Sequence, residues 1–197
     1  FDGSAYGPAP VAPDETPAEG GIAPAWLEAK LAKSGTQGAD AAALLGRAPL
    51  DIRVNTLKAA RETLALPIAA EPLAAPAGLR LPYGTQVEDW PQFRDGLIEI
   101  QDCGSQLACM AASAGPGETV IDLCAGAGGK TLALAAAMGN RGVLIASDTD
   151  RARLSRLAPR AERAGIAIVE SVLLDPSREL AGVEPLLGNA DALVIDA

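Results

Sequence analysis

Histidine is absent from the 197 residues of this sequence. Catalytic triads and metal sites that depend on an imidazole are therefore excluded within the chain. Aromatic residues are scarce at 3%, so a core must be assembled from Ala, Leu, Val and Ile, which dominate the 49% hydrophobic content. That is ample apolar material for collapse and unlike a disordered composition. Cysteine is sparse too. Cys103, Cys109 and Cys124 form an odd set without a Cys-x-x-Cys pair, which points to reduced thiols in the cytoplasm rather than a disulfide framework. No apolar run approaches the roughly 20 residues that span a bilayer, and no signal-peptide pattern opens the chain. These absences predict a cytoplasmic protein without membrane or metal partners; the sequence does not fix its oligomeric state, and a monomer is the expectation. The sequence starts at Phe1 without methionine and stops at Ala197 just after the hydrophobic run ALVID. It reads as a cut through a longer protein.

Positive charge is also in deficit, with 16 Lys and Arg against 25 Asp and Glu for a net −9. This argues against nonspecific nucleic-acid binding, which needs a basic surface. Yet Arg151, Arg153, Arg156, Arg160 and Arg163 fall within 13 residues. On a continuous helix the last four share a stripe about 80° wide, although Pro159 breaks or kinks such a helix. The plainer expectation is a solvated outer face.

Residues 1–24, rich in proline and glycine, read as an extended lead-in. AWLEAKLAKSG from Ala25 and ADAAALLGR carry helical spacing, and LDIRVNTL alternates as a strand. Together with the proline-broken stretch to residue 95, they predict a small α+β domain over 25–95. From Gly96 onward the pattern alternates strand and helix: GLIEIQD, SQLACMAASAG, ETVIDLC, GGKTLALAAAMGN, GVLIASD, TDRARLSRLAPRAERAG, IAIVESVLL and ADALVIDA. Such alternation predicts a parallel α/β sheet with right-handed crossovers over 96–197.

Residues 122–131, DLCAGAGGKT, hold the densest chemistry. A Walker phosphate loop needs glycine at the place of Cys124, and a G-x-G-x-x-G dinucleotide loop from Gly126 needs glycine where Thr131 stands. Both phosphate readings fail. The loop still fits a phosphate-free nucleoside ligand, as in Rossmann-like S-adenosylmethionine-dependent methyltransferases, because small residues let backbone approach a ligand closely. Asp148, closing VLIASD, is then placed to accept from ribose hydroxyls. Asp175, after SVLL, faces the adenine edge, and Asp196, closing the fourth strand, meets the cationic methionine end. Taken singly, each aspartate is equally a turn former or helix cap. Asp150 reads as the cap of RARLSRL, and Lys130 points back from the first helical turn toward the loop.

The loop DLCAGAGGKT resembles that of the Nop/Sun family of RNA (cytosine-5)-methyltransferases, in which proline usually stands at the place of Ala127. IRVNTLK (52–58), IQDCGSQLA (100–108) and VIDA (194–197) are similar to further family segments. The resemblance covers roughly residues 25–197. It implies a class I methyltransferase domain, incomplete at its C-terminus, preceded by a small RNA-recognition-motif-like domain. It implies a cofactor, S-adenosyl-L-methionine, held by Cys124, Ala125, Gly126, Ala127, Gly128, Gly129 and Lys130, with Asp148, Asp175 and Asp196. It also implies that Arg53, Asn55 and Lys58 face RNA, and that the substrate is a cytosine of ribosomal RNA, 16S in bacterial members. The family's nucleophile is a cysteine thiolate that adds to carbon 6 of the base, expected in a Pro-Cys pair after Asp196-Ala197 and a Thr-Cys pair further on. No catalytic residue is assigned within 1–197, so this piece alone is expected not to turn over. A methyltransferase of protein or small molecules, and a noncatalytic RNA-binding relative, remain alternatives.

Overall fold

The computed structural model describes residues 12–16 and 21–196, so most of the expected lead-in, and Ala197, lie outside the described residues. The chain divides into two compact units, residues 1–48 and 49–197. The first carries helices α1 (Ala25–Lys33) and α2 (Ala39–Ala43) at the two helical patterns. Glu28, in the first turn of α1, accepts from the amides of Ile22 and Ala23 at 2.8 and 3.0 Å and so satisfies donors that enter the helix. Trp26 is exposed, with the Lys30 ammonium 5.8 Å from its ring centre.

The second unit contains two four-stranded sheets. Strands β1 (Leu50–Val54), β2 (Glu71–Pro72), β3 (Gly78–Leu81) and β4 (Ile98–Ile100) form an antiparallel sheet in the order β2-β3-β1-β4, with the short helix α3 (Pro91–Arg94) ahead of β4. Alternation sorts its side chains. Ile52 and Val54 join Leu79, Leu81, Val87 and Ile98 in one core, while Asp51 and Arg53 take the opposite face. GLIEIQD, expected to open the second domain at 96, instead closes this sheet through the pairs Ile52↔Ile100 and Val54↔Ile98. The strand period is local and was readable, whereas the partner lies more than forty residues away and left no mark in sequence.

Helix α4 (Cys103–Ala111), capped by Asp102 accepting from the Ser105 amide, leads into a wholly parallel sheet. Its strands β5 (Thr119–Asp122), β6 (Val143–Asp148), β7 (Val169–Leu173) and β8 (Ala192–Val194) lie in the order β7-β6-β5-β8. Helix α5 (Gly129–Ala137) links β5 to β6, and α6 (Arg151–Leu154) with α7 (Leu157–Ala164) links β6 to β7. Val120, Leu132, Leu134, Met138, Leu144 and Leu157 form the fully buried centre. The helical stretch after β6 breaks at Ser155 and Arg156, three residues before the expected Pro159, which sits in the first turn of α7. A proline there removes no intrahelical hydrogen bond. Between β5 and β8 the strand order reverses, opening the crevice where parallel sheets receive ligands.

Candidate functional site

Strand β5 ends at Asp122 and α5 begins at Gly129, so six residues must reverse the chain. Gly128, the residue before α5, has φ +86°, and a Cβ there would stand 2.2 Å from Leu157 Cδ1 of α7. Glycine is therefore required by backbone and by packing together. Gly126, at φ +55°, donates its amide to Asp148 Oδ2 at 2.7 Å, and Asp148 Oδ1 accepts from the Asp150 amide at 2.8 Å. Ala125 N adds a bond to Ser147 O at 2.9 Å. The strand-end carboxylate thus pins the glycine loop against β6, and each oxygen keeps a lone pair for a ligand hydroxyl.

On the other flank Lys130 donates to Ser105 Oγ at 3.2 Å and forms an ion pair with Asp196. Arg160 of α7, which also lines the larger cleft, braces the loop by giving one nitrogen to Ala127 O at 2.6 Å and another to Glu99 at 2.9 Å. Gln101 donates to Gly129 O at 3.3 Å. The Cys109 thiol lies at 3.8 Å from Lys130 O, and burial pushes its pKa up, which keeps it an inert thiol.

Two clefts meet at Cys124. The larger, about 340 Å³, is lined by Asp102, Ser105, Cys124, Lys130, Arg153 and Asp196, with Ala125, Ala127 and Gly129 supplying its loop wall. The smaller, about 160 Å³, is lined by Leu123, Cys124, Asp148, Thr149, Leu174 and Glu179. The expected loop, Asp148 and Asp196 are therefore brought together. Gly128 packs on α7 and lines neither cleft. Asp175 lines neither as well: its Oδ1 accepts from Ser177 N at 2.9 Å in a turn of its own, and Leu174 occupies the place beside Asp148.

Asp122 was missed. It is 1% exposed, accepts from the Thr131 hydroxyl at 2.7 Å through Oδ2, and leaves Oδ1 buried without a partner. Burial raises its pKa above the ordinary 3.8. Thr131 thereby locks the strand end, a role unrelated to the metal-binding threonine of a phosphate loop. The signal available was an aspartate ending a buried-type strand directly before the glycines.

Of the three residues expected to face RNA, Arg53 and Asn55 are buried, and Lys58 is exposed with its ammonium bound to main-chain oxygens. Arg53 is buried, donates to Gln101 at 2.7 Å, and has its pKa lowered by burial. Asn55 is 1% exposed and donates to Gly96 O and Ala164 O, both at 2.9 Å. Lys58 gives its ammonium to Asp95 O and Arg163 O at 2.9 and 2.7 Å. Alternation identified a second face of β1 correctly, but α4 and α7 cover it, so it is not wet. The arginine stripe is likewise not a uniform solvated face, since Arg160 and Arg163 both engage the buried Glu99. Asp150 caps α6 as expected, accepting from Ala152 N and Arg153 N.

Among the described residues no helix is long and apolar enough to cross a membrane, and no group of three or more Cys, Asp or Glu side chains is arranged to hold a metal ion.

The model of a family described as 16S rRNA methyltransferase RsmB/F matches residues 110–196. A probable ribosomal RNA small subunit methyltransferase B of Synechocystis sp. is 33% identical over 157 residues, covering 75% of this chain and 34% of that protein. A 28S rRNA (cytosine-C(5))-methyltransferase of Mus musculus is 39% identical over 95 residues, 48% of this chain and 20% of its own. A solved methyltransferase homolog from Pyrococcus horikoshii is similar with a TM-score of 0.63 at 28% identity, over 75% of this chain and 55% of that one. The chain spans about a third or less of the curated relatives. By these likenesses the chain is similar to the Nop/Sun family of RNA (cytosine-5)-methyltransferases.

Proposed function

We propose that this chain forms the S-adenosylmethionine-binding part of an RNA methyltransferase that makes 5-methylcytosine, with 16S ribosomal RNA in the cytoplasm as its substrate. The observation that carries the reading is the pair of clefts joined at Cys124, one holding Asp148 and the other the Lys130–Asp196 pair. A ligand lying across both must be elongated and offer hydroxyls at one end. The larger cleft carries Asp102 and Asp196 together with Lys130, Arg153 and Arg160, and the smaller carries Asp148 and Glu179. Mixed charge suits the zwitterionic amino-acid end of a sulfonium-bearing nucleoside, and the carboxylates of the smaller cleft suit its ribose hydroxyls.

When bound, that cofactor supplies an electrophilic methyl group. The chain's own residues orient it. Asp148 receives ribose hydroxyls while holding Gly126, Leu174 and Leu123 give apolar contact for the adenine, and the loop backbone from Ala125 to Gly129 lies against the methionine portion. Asp196 and Lys130 set the charge at that end. Asp175 serves its turn, and Arg53, Asn55 and Lys58 serve the scaffold. The antiparallel sheet of residues 50–100 takes the part of an RNA-recognition-motif-like module, a reading supported by its four antiparallel strands. Division of labour then falls between the two sheets, at the residues following β4.

The test is isothermal titration of S-adenosylmethionine into wild type and Asp148→Ala. Strong loss of affinity in the variant is expected. Equal affinity in both rejects the ribose role and with it the cofactor assignment.

A further inference from the structure

The five arginines of 151–163 fall into two groups. Arg160 and Arg163 turn inward and share Glu99, which is 2% exposed. Arg151, Arg153 and Arg156 are exposed, and among the described residues no ion pair involves them. Their neighbouring carboxylates are engaged elsewhere. Asp150 accepts from Ala152 N and Arg153 N, Asp148 accepts from Gly126 N and Asp150 N, and Asp196 pairs with Lys130. Of this group, Arg153 stands at the cofactor cleft. Helix α6 starts three residues after Asp148, at the carboxyl edge of the sheet. Arg153 lines the larger cleft, and a Cβ on Gly126 would lie 2.6 Å from its Nη2.

We propose that Arg153 and Arg156, which lie about 60° apart on one side of this helical stretch while Arg151 falls on the other, form the surface that receives RNA phosphates at the lip of the cofactor cleft. The inference rests on the RNA-methyltransferase reading and supplies what that reading lacks once Arg53, Asn55 and Lys58 are accounted for. A base that is modified on its ring must leave its stack and enter the pocket, so its flanking phosphates stay at the rim. Guanidinium groups match phosphate oxygens two at a time. A chain of net charge −9 cannot attract RNA over its whole surface, so attraction has to be concentrated in a local patch. Arginines left without carboxylate partners beside the methyl-donor site satisfy that requirement.

The test uses a short fluorescein-labelled single-stranded RNA containing cytosines, titrated by anisotropy at several potassium chloride concentrations. The proteins are wild type, R156Q and R153Q, with S-adenosylmethionine affinity measured in parallel. Arg151 and Arg156 line neither cleft. R156Q should bind RNA about 3-fold more weakly at low salt, with the slope of log affinity against log salt reduced by about 0.7, the value for one lost single-strand phosphate contact. Its cofactor affinity should match wild type. R153Q should lose RNA affinity and a similar amount of slope. Unchanged RNA affinity and slope in both variants overturns the proposal. Loss of cofactor affinity in R153Q with RNA binding intact also overturns it, because the arginine then serves the cofactor carboxylate. A wild type that binds the cofactor but no RNA removes the RNA reading as well as this surface.

Discussion

Asp148 holds the glycine loop with the same carboxylate that faces the smaller cleft. Asp148→Asn keeps the shape and removes the charge, so S-adenosylmethionine affinity should fall about 10- to 100-fold, the range for hydrogen bonds to a charged group; titration calorimetry measures it. Asp122 gives a different signature. Its folded pKa lies above the ordinary 3.8 because burial disfavours the carboxylate. The native state therefore holds the proton more tightly than the unfolded chain, and stability is fullest below 3.8 and declines as pH rises through the elevated folded value. Asp122→Asn retains an acceptor for Thr131 and cannot ionise. Thermal melts should show it more stable than wild type at neutral pH and without that decline; a variant less stable at neutral pH would contradict the assignment. At this scale the sequence was legible where a residue's position in the pattern fixed its surroundings. Asp148 at a strand end beside glycines is such a case. Arg53 and Asn55 were not legible, since alternation separates two faces of β1 without saying that α4 and α7 lie over one of them.

Among elements, α7 does most to shape the loop. Leu157 fills the space that a Gly128 side chain would need, Arg160 holds Ala127 O, and Arg160 and Arg163 converge on Glu99 of β4. The Arg163 guanidinium also lies 4.1 Å from the Phe93 ring centre. Glu99→Ala leaves two inward arginines without their shared carboxylate and should cost about 3 kcal/mol, the scale for breaking a buried pair, read as a lower midpoint in urea. Gly128→Ala should cost about 2 kcal/mol through overpacking against Leu157 and the left-handed backbone. Helix and strand identity was readable along most of the second unit because each period is local. The pairing of β4 with β1 and the break between α6 and α7 were not, since both depend on contacts made far along the chain.

For the molecule, the division at residue 48 has a direct consequence, because every residue lining the two clefts is numbered 100 or higher. A chain beginning at Pro49 should fold and keep wild-type affinity for S-adenosylmethionine; loss of affinity would show that the first 48 residues take part in the site. Parallel pairing was implicit in the alternation of strand and helix, whereas the strand order and the grouping of both sheets into one unit were not. The glycine loop is held from three separate strands and helices: β6 through Asp148, α7 through Arg160 and, by way of Glu99, β4. No local segment can reproduce that scaffold, so ligand recognition has no meaning short of the cooperative native state. Residual affinity in a denaturant series should then trace the surviving native fraction point for point, making the cofactor a gauge of how much folded protein remains.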